Sequence, residues 1–128
     1  MRREEGQNHF TETIAENIDL MISLGCSPDK LVLGIATYGR TYTLLNKENV
    51  EVDAEVKGLG HAGPLTLSEG SLGFNEICVK ILQGGWTTVH LIENASKVSY
   101  KGDQWMSYDD PETVYQKTIY AMEMGKEI

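Results

Sequence analysis

Apolar residues recur at helical spacing in the first third of the chain. Ile14, Ile18, Met21 and Ile22 share one face of a 3.6-residue period, Thr13 and Glu16 have the spacing of a capping box, and Gly25 is a natural stop. This pattern predicts a helix over about residues 12–24, apolar on one side. Pro28-Asp29 marks a turn. Leu31-Val32-Leu33-Gly34-Ile35-Ala36 then forms a short, continuously apolar run, the pattern of a strand buried on both faces in a parallel sheet. Helix, short loop and buried strand make the αβ half of a repeating α/β unit.

Between residues 41 and 107 the character changes. Glycines are frequent and short stretches alternate. Tyr42-Thr43-Leu44, Val50-Glu51-Val52, Val89-His90-Leu91-Ile92, Val98-Ser99-Tyr100 and Gln104-Trp105-Met106 read as short strands of an antiparallel sheet. A helix is predicted among them at about residues 74–82, stopped by Gly84-Gly85. A last helix starts with Asp110 as N-cap and Pro111 at the first helical position, and Asp109 and Glu112 also have capping-box spacing. Val114, Ile119 and Met122, with Tyr115 and Tyr120 alongside, form its apolar stripe to about residue 124, where Gly125 ends it. The next strand of an α/β unit is not present after it. A lone parallel strand and two flanking helices need neighbours that the sequence does not supply.

Composition narrows the picture. The chain has 128 residues, of which 41% are hydrophobic. That suits one packed domain but falls short of an enzyme barrel, which takes roughly 200 residues or more. A net charge of -8 argues against nucleic acid and anionic membrane as partners, since both would repel it, and favours a neutral substrate. No segment approaches the roughly 20 apolar residues of a membrane span. The polar N-terminus, expected to be a loose tail over residues 1–9, carries no signal-peptide pattern. Asn94-Ala95-Ser96 is an acceptor sequon for N-glycosylation. Cys26 and Cys78 define no disulfide framework and have no metal spacing; a bridge between them stays open. His61 and His90 lack partners at ligand spacing and read as structural. No metal or cofactor is expected.

Four ordered blocks carry a family resemblance. Lys30-Leu31-Val32-Leu33-Gly34-Ile35 with Tyr38-Gly39-Arg40-Thr41-Tyr42-Thr43-Leu44 resembles the seventh barrel strand of glycoside hydrolase family 18 chitinases and their non-catalytic relatives. Ala62-Gly63-Pro64-Leu65-Thr66 and Gly70-Ser71-Leu72-Gly73-Phe74-Asn75-Glu76-Ile77-Cys78 resemble the core of that family's insertion domain. Tyr100-Lys101-Gly102-Asp103-Gln104-Trp105, followed by Tyr108-Asp109-Asp110, resembles its exit into the next barrel helix.

The resemblance implies an α+β segment of an α/β TIM barrel, that is, an incomplete (β/α)8 barrel carrying an antiparallel-sheet insertion domain. Residues 10–40 would be barrel helix and strand, 41–107 the insertion, and 108–128 barrel helix and C-terminal end. It implies chitin or N-acetylglucosamine oligomers as partner, a secreted parent, and an insertion that walls a sugar groove. Family enzymes hydrolyse β-1,4 bonds by substrate assistance: the sugar's acetamido oxygen attacks while one glutamic acid of a D-x-x-D-x-D-x-E motif protonates the leaving oxygen. That motif does not occur in these 128 residues. The chain is therefore expected to be inactive alone, as a fragment of a chitinase, with a chitinase-like lectin or growth-factor-like binding protein as the alternative. A non-functional product, such as a degenerate copy, is the third reading.

No catalytic residue is assigned. Glu51-Val52-Asp53-Ala54-Glu55 imitates an acidic motif but reads as a solvated face. Substrate contacts are expected at Tyr38 and Arg40, which close a strand where barrel sites are built, and by resemblance at Glu76 on the insertion helix. The ordinary alternatives are a half-buried Tyr, an Arg in a structural ion pair and an exposed helical Glu. Phe74 stands where the family usually has Tyr. Trp105 reads as core, whereas Trp86 fits either core or a sugar platform. Resemblance also gives Cys78 a disulfide partner from later in the family chain.

Overall fold

A computed structural model describes residues 10–92 and 95–124, with side chains from residue 14 onward. The tail at 1–9, Asn94, Gly125 and the Thr13 side chain of the expected first cap lie outside the described parts. The helices are α1 (Phe10–Ser23), α2 (Phe74–Gln83) and α3 (Pro111–Glu123), with a 3-10 turn at Pro28–Lys30. The strands are β1 (Tyr38–Leu44), β2 (Val56–Leu59), β3 (Ser71–Gly73), β4 (Thr87–Leu91), β5 (Ser96–Lys101) and β6 (Gln104–Tyr108).

All strand pairs are antiparallel, in the order β2-β1-β6-β5-β4. The free edge of β1 is shared: β3 pairs Tyr38–Arg40 and β2 pairs Tyr42–Leu44. Because cross-strand partners share a face, the register sorts side chains into two layers. Tyr38, Arg40 and Tyr42 lie with Ser107 and Trp105 on one side; Gly39, Thr41 and Thr43 lie with Met106 and Tyr108 on the other. The second side is covered by α2, with Leu72, Ile77, Met106 and Tyr108 buried together. Gly39 permits that approach, since a Cβ there would come within 2.7 Å of the Ile77 side chain and 2.9 Å of the Ser107 carbonyl. A register shift between Thr43 and Leu44 changes the alternation, and Leu44 joins Val98 and Trp105 in a second core.

Helix α3 is tied to the sheet by charges. Asp110 caps it, accepting from Thr113 N at 3.0 Å. Asp109 does not pair with Glu112 as the spacing suggested. It accepts two hydrogen bonds of 2.7 Å from Lys117 Nζ, and both side chains are buried. Burial pulls the Lys117 ammonium below its usual range despite the charge and hydrogen bonds of Asp109. Lys97 donates to Glu112 at 2.7 Å and lies 3.4 Å from Asp110. Burial pulls its pKa down, but these two carboxylates outweigh it and the net direction is up.

Two expected strands came out differently, and one strand was not expected. Residues 31–36 form no strand and make only an isolated bridge at Val32, which is 66% exposed. An apolar run becomes a strand only where neighbours take up its backbone groups, and the described sheet closes without this one. Residues 50–52 turn rather than pair: the Val50 carbonyl accepts the Trp105 indole N–H at 3.0 Å, and Val50 and Ala54 pack over the second core. The strand falls instead on Val56–Leu59, whose side chains are all exposed. Strand β3 had no sequence signal, being three residues long and ending in glycine.

Candidate functional site

Two of the three expected contact residues share an open strip. Tyr38 and Arg40 sit two apart on β1, so both project from the side opposite α2. Tyr38 is 46% exposed, and the guanidinium carbon of Arg40 stands 5.3 Å from the centre of its ring. This cation–π contact orders both side chains without neutralising Arg40. Among the described residues Arg40 pairs with no carboxylate, so the structural ion pair considered as its ordinary alternative does not form there. Ser71 of β3 and Ser107 of β6 flank Arg40 in register, and Ser107 Oγ lies 3.2 Å from Ser96 Oγ. The strip thus offers an aromatic face, a fork of fixed donors and a row of hydroxyls. Such a surface suits an uncharged polyhydroxylated ligand, which presents apolar ring faces and many acceptor oxygens. Ser71 carries no signal in a single sequence, because its placement depends on a strand too short to read, and Ser107 lies just past the strand expected at 104–106.

Glu76 has a different setting. It is 4% exposed on the first turn of α2, whose N-cap, Gly73, is the register partner of Tyr38. Its carboxylate accepts from Leu65 N at 3.0 Å, Thr66 N at 3.2 Å and Gly73 N at 3.2 Å, and also from the Thr66 hydroxyl. The Thr66 hydroxyl and then the Leu65 amide hold its pKa down at about 2, against the opposing pull of burial, with smaller help from the Gly73 and Thr66 amides. It is therefore an ionised anchor for the loop at 64–67, not the exposed helical Glu considered as its ordinary alternative. Gly63 makes room for it, since a Cβ there would run into the carboxylate. The anchored loop holds Leu67 in the left-handed region at φ 56°, a conformation that side-chain-bearing residues adopt at a cost.

The remaining candidates are dispersed. Glu51, Asp53 and Glu55 are exposed on the loop before β2. Trp105 is 7% exposed and belongs to the second core, tilted against Tyr42. Trp86 packs half-buried against the α2 core. His61 N donates to Gln104 Oε1 at 3.0 Å, and His90 Nδ1 lies 3.5 Å from Glu112. Cys26 and Cys78 are not bonded to each other. Among the described residues, no group of three or more His, Cys, Asp or Glu is placed to hold a metal, and no helix is long and apolar enough to cross a membrane.

Comparisons with known proteins identify the family. The model of the family described as glycosyl hydrolases family 18 matches residues 3–126. Mouse chitotriosidase-1 is 35% identical over 116 residues, covering 86% of this chain and 24% of the relative. Human chitinase-3-like protein 2 is 40% identical over 104 residues, covering 81% and 26%. The class V chitinase of Nicotiana tobaccum superposes with a TM-score of 0.80 at 32% identity, over 88% of this chain and 32% of that one. Human YKL-39, described as a pseudo-chitinase with retained chitooligosaccharide-binding properties, superposes at 0.82 and 32% identity over 88% and 30%. The chain thus spans about a quarter to a third of these relatives' length. With a family model matched along nearly its whole length and relatives above 30% identity, the chain belongs to glycosyl hydrolase family 18.

Proposed function

We propose that this chain forms one wall of a chito-oligosaccharide groove, with Tyr38 and Arg40 in contact with the sugar. The observation that carries the reading is the open strip of Tyr38 and Arg40, flanked by hydroxyls and, among the described residues, free of a neutralising carboxylate. Two solved relatives support the ligand class: a Nicotiana chitinase variant crystallised with NAG4, and the pseudo-chitinase YKL-39. Glu76 enters the proposal as the anchor of the groove-wall loop. A carboxylate offers about four lone-pair positions, and four donors already face it, so it accepts a sugar hydroxyl only where one of them yields.

On this reading residues 10–40 and 108–128 belong to a barrel completed by other parts of the protein, and 41–107 to the insertion. The protein is secreted and Asn94 is open to glycosylation. Substrate-assisted hydrolysis of β-1,4 bonds requires a glutamic acid outside these 128 residues. A non-catalytic binding protein is the second reading, favoured by the likeness to human YKL-39, described as a pseudo-chitinase with retained chitooligosaccharide-binding properties.

Calorimetric titration of the intact protein with chitotetraose tests the proposal. Arg40→Ala is expected to weaken binding about tenfold or more, the usual weight of hydrogen bonds from a charged group, with little change in melting temperature because the side chain is exposed. Unchanged affinity would remove Arg40 from the groove. A hydrolysis assay on the same preparation separates the two readings.

A further inference from the structure

Directly behind Arg40, on the α2 side of the sheet, lies Thr41. It is 4% exposed, and its Oγ1 is buried without a hydrogen-bond partner among the described residues. Its neighbours on that side are satisfied. Thr43 Oγ1 donates to the Leu59 carbonyl at 2.8 Å and accepts from Gln104 Nε2 at 3.0 Å. Ser99 Oγ lies 2.8 Å from both Tyr108 Oη and Thr88 Oγ1. Buried hydroxyls in native proteins nearly always find a partner, so Thr41 needs an explanation.

The surroundings supply one. Thr41 lines a cavity of about 40 Å3 together with His61, Lys80, Gln104 and the apolar Leu72 and Trp86. One ordered water needs about 10–15 Å3 of such space and two to four polar partners. The volume is adequate, and His61, Lys80 and Gln104 carry polar groups of the right kind. The cavity is much too small for a sugar ring. The hydroxyl has little freedom to seek a partner elsewhere: Gly60 packs against it so closely that a Cβ would collide with the Thr41 side chain, and Gly60 N donates to the Thr41 carbonyl at 3.0 Å.

We propose that this cavity is a water-binding site, in which at least one ordered water hydrogen-bonds Thr41 Oγ1 and bridges it to the polar groups that line the space. The water links β1 to the segment at residues 60–61 and to β6, on the side of the sheet opposite the proposed sugar contacts. It stands independently of the sugar-binding reading.

The test combines crystallography of the intact protein, at a resolution that shows waters, with melting of two variants. A peak is expected within about 2.7–3.2 Å of Thr41 Oγ1, retained in Thr41→Ser and lost in Thr41→Val. Thr41→Val, of nearly the same shape, should melt about 3–6 °C lower, because it leaves the water short of a partner. A hydroxyl that truly lacks a partner predicts the opposite sign, since a methyl group is better buried than an unmade hydrogen bond. No peak at Thr41, or a Thr41→Val protein that melts at or above the wild-type temperature, overturns the proposal.

Discussion

The stretch from Tyr38 to Tyr108 closes on itself, whereas the helix and apolar run before it do not. In the sheet, Leu44, Ile77 and Met106 are no more than 2% exposed. In α1 and the run after it, Leu20 is 55%, Leu24 79% and Val32 66% exposed, and Ile18 is the buried apolar residue among those with described side chains. The region before the sheet is not the less apolar of the two, since residues 31–36 are apolar throughout apart from Gly34. The difference lies in partners: each sheet strand finds an antiparallel neighbour within residues 38–108, while residues 31–36 have the composition of a parallel strand, whose neighbours are not among the described residues. Helix α3 falls between the two. It has no sheet of its own to complete, but the charges of Asp109, Lys117 and Lys97 fasten it to β5 and the end of β6.

This comparison can be broken at several points. The largest effect is expected at the fastening of α3. Lys117→Met leaves the buried Asp109 carboxylate without its cation and should cost about 3–5 kcal/mol in denaturant unfolding; a loss under 1 kcal/mol would mean that α3 is not docked as described. Met106→Ala empties space between the sheet and α2 and should cost about 2–5 kcal/mol, measured the same way. A cost near zero would deny the core its role.

The Glu76 anchor gives a pH signature. Its folded pKa of about 2 lies below the ordinary 4.5, so its contribution is fully present above the ordinary value and is lost as pH falls toward 2. Melting temperature should therefore drop between about pH 5 and 2, and Glu76→Gln should flatten that slope while lowering stability at neutral pH. An unchanged slope in the variant would show that other carboxylates govern acid unfolding. The smallest effect is expected just after α1: Leu24 is 79% exposed, and Leu24→Ala should change stability by less than about 0.5 kcal/mol, as for exposed positions generally. A larger loss in the intact protein would locate a contact there.

Helices were the more legible part of the sequence. The expected ranges 74–82 and 12–24 match Phe74–Gln83 and Phe10–Ser23 within two residues, and Asp110 caps α3 as its position before Pro111 suggested. Capping and periodicity are local, so they survive without tertiary information. Strands were read less well because their existence depends on pairing. Val56–Leu59 has no buried side chain to announce it, and Ser71–Gly73 is a strand only because β1 lies beside it. The site divides along the same line. Tyr38 and Arg40 stood out in sequence, but the surroundings of Glu76 did not, since they depend on a loop folding back over ten residues to reach it.

The central claim is that sugar meets the β1 strip and not the α2 side of the same sheet. Amide chemical shifts of the labelled intact protein, recorded while chitotetraose is added, test it most directly. The account predicts that the largest shifts fall at Tyr38, Arg40, Ser71 and Ser107, with Leu82 and Trp86 nearly still. Shifts concentrated at Trp86 and the exposed face of α2, with Arg40 unmoved, would contradict it.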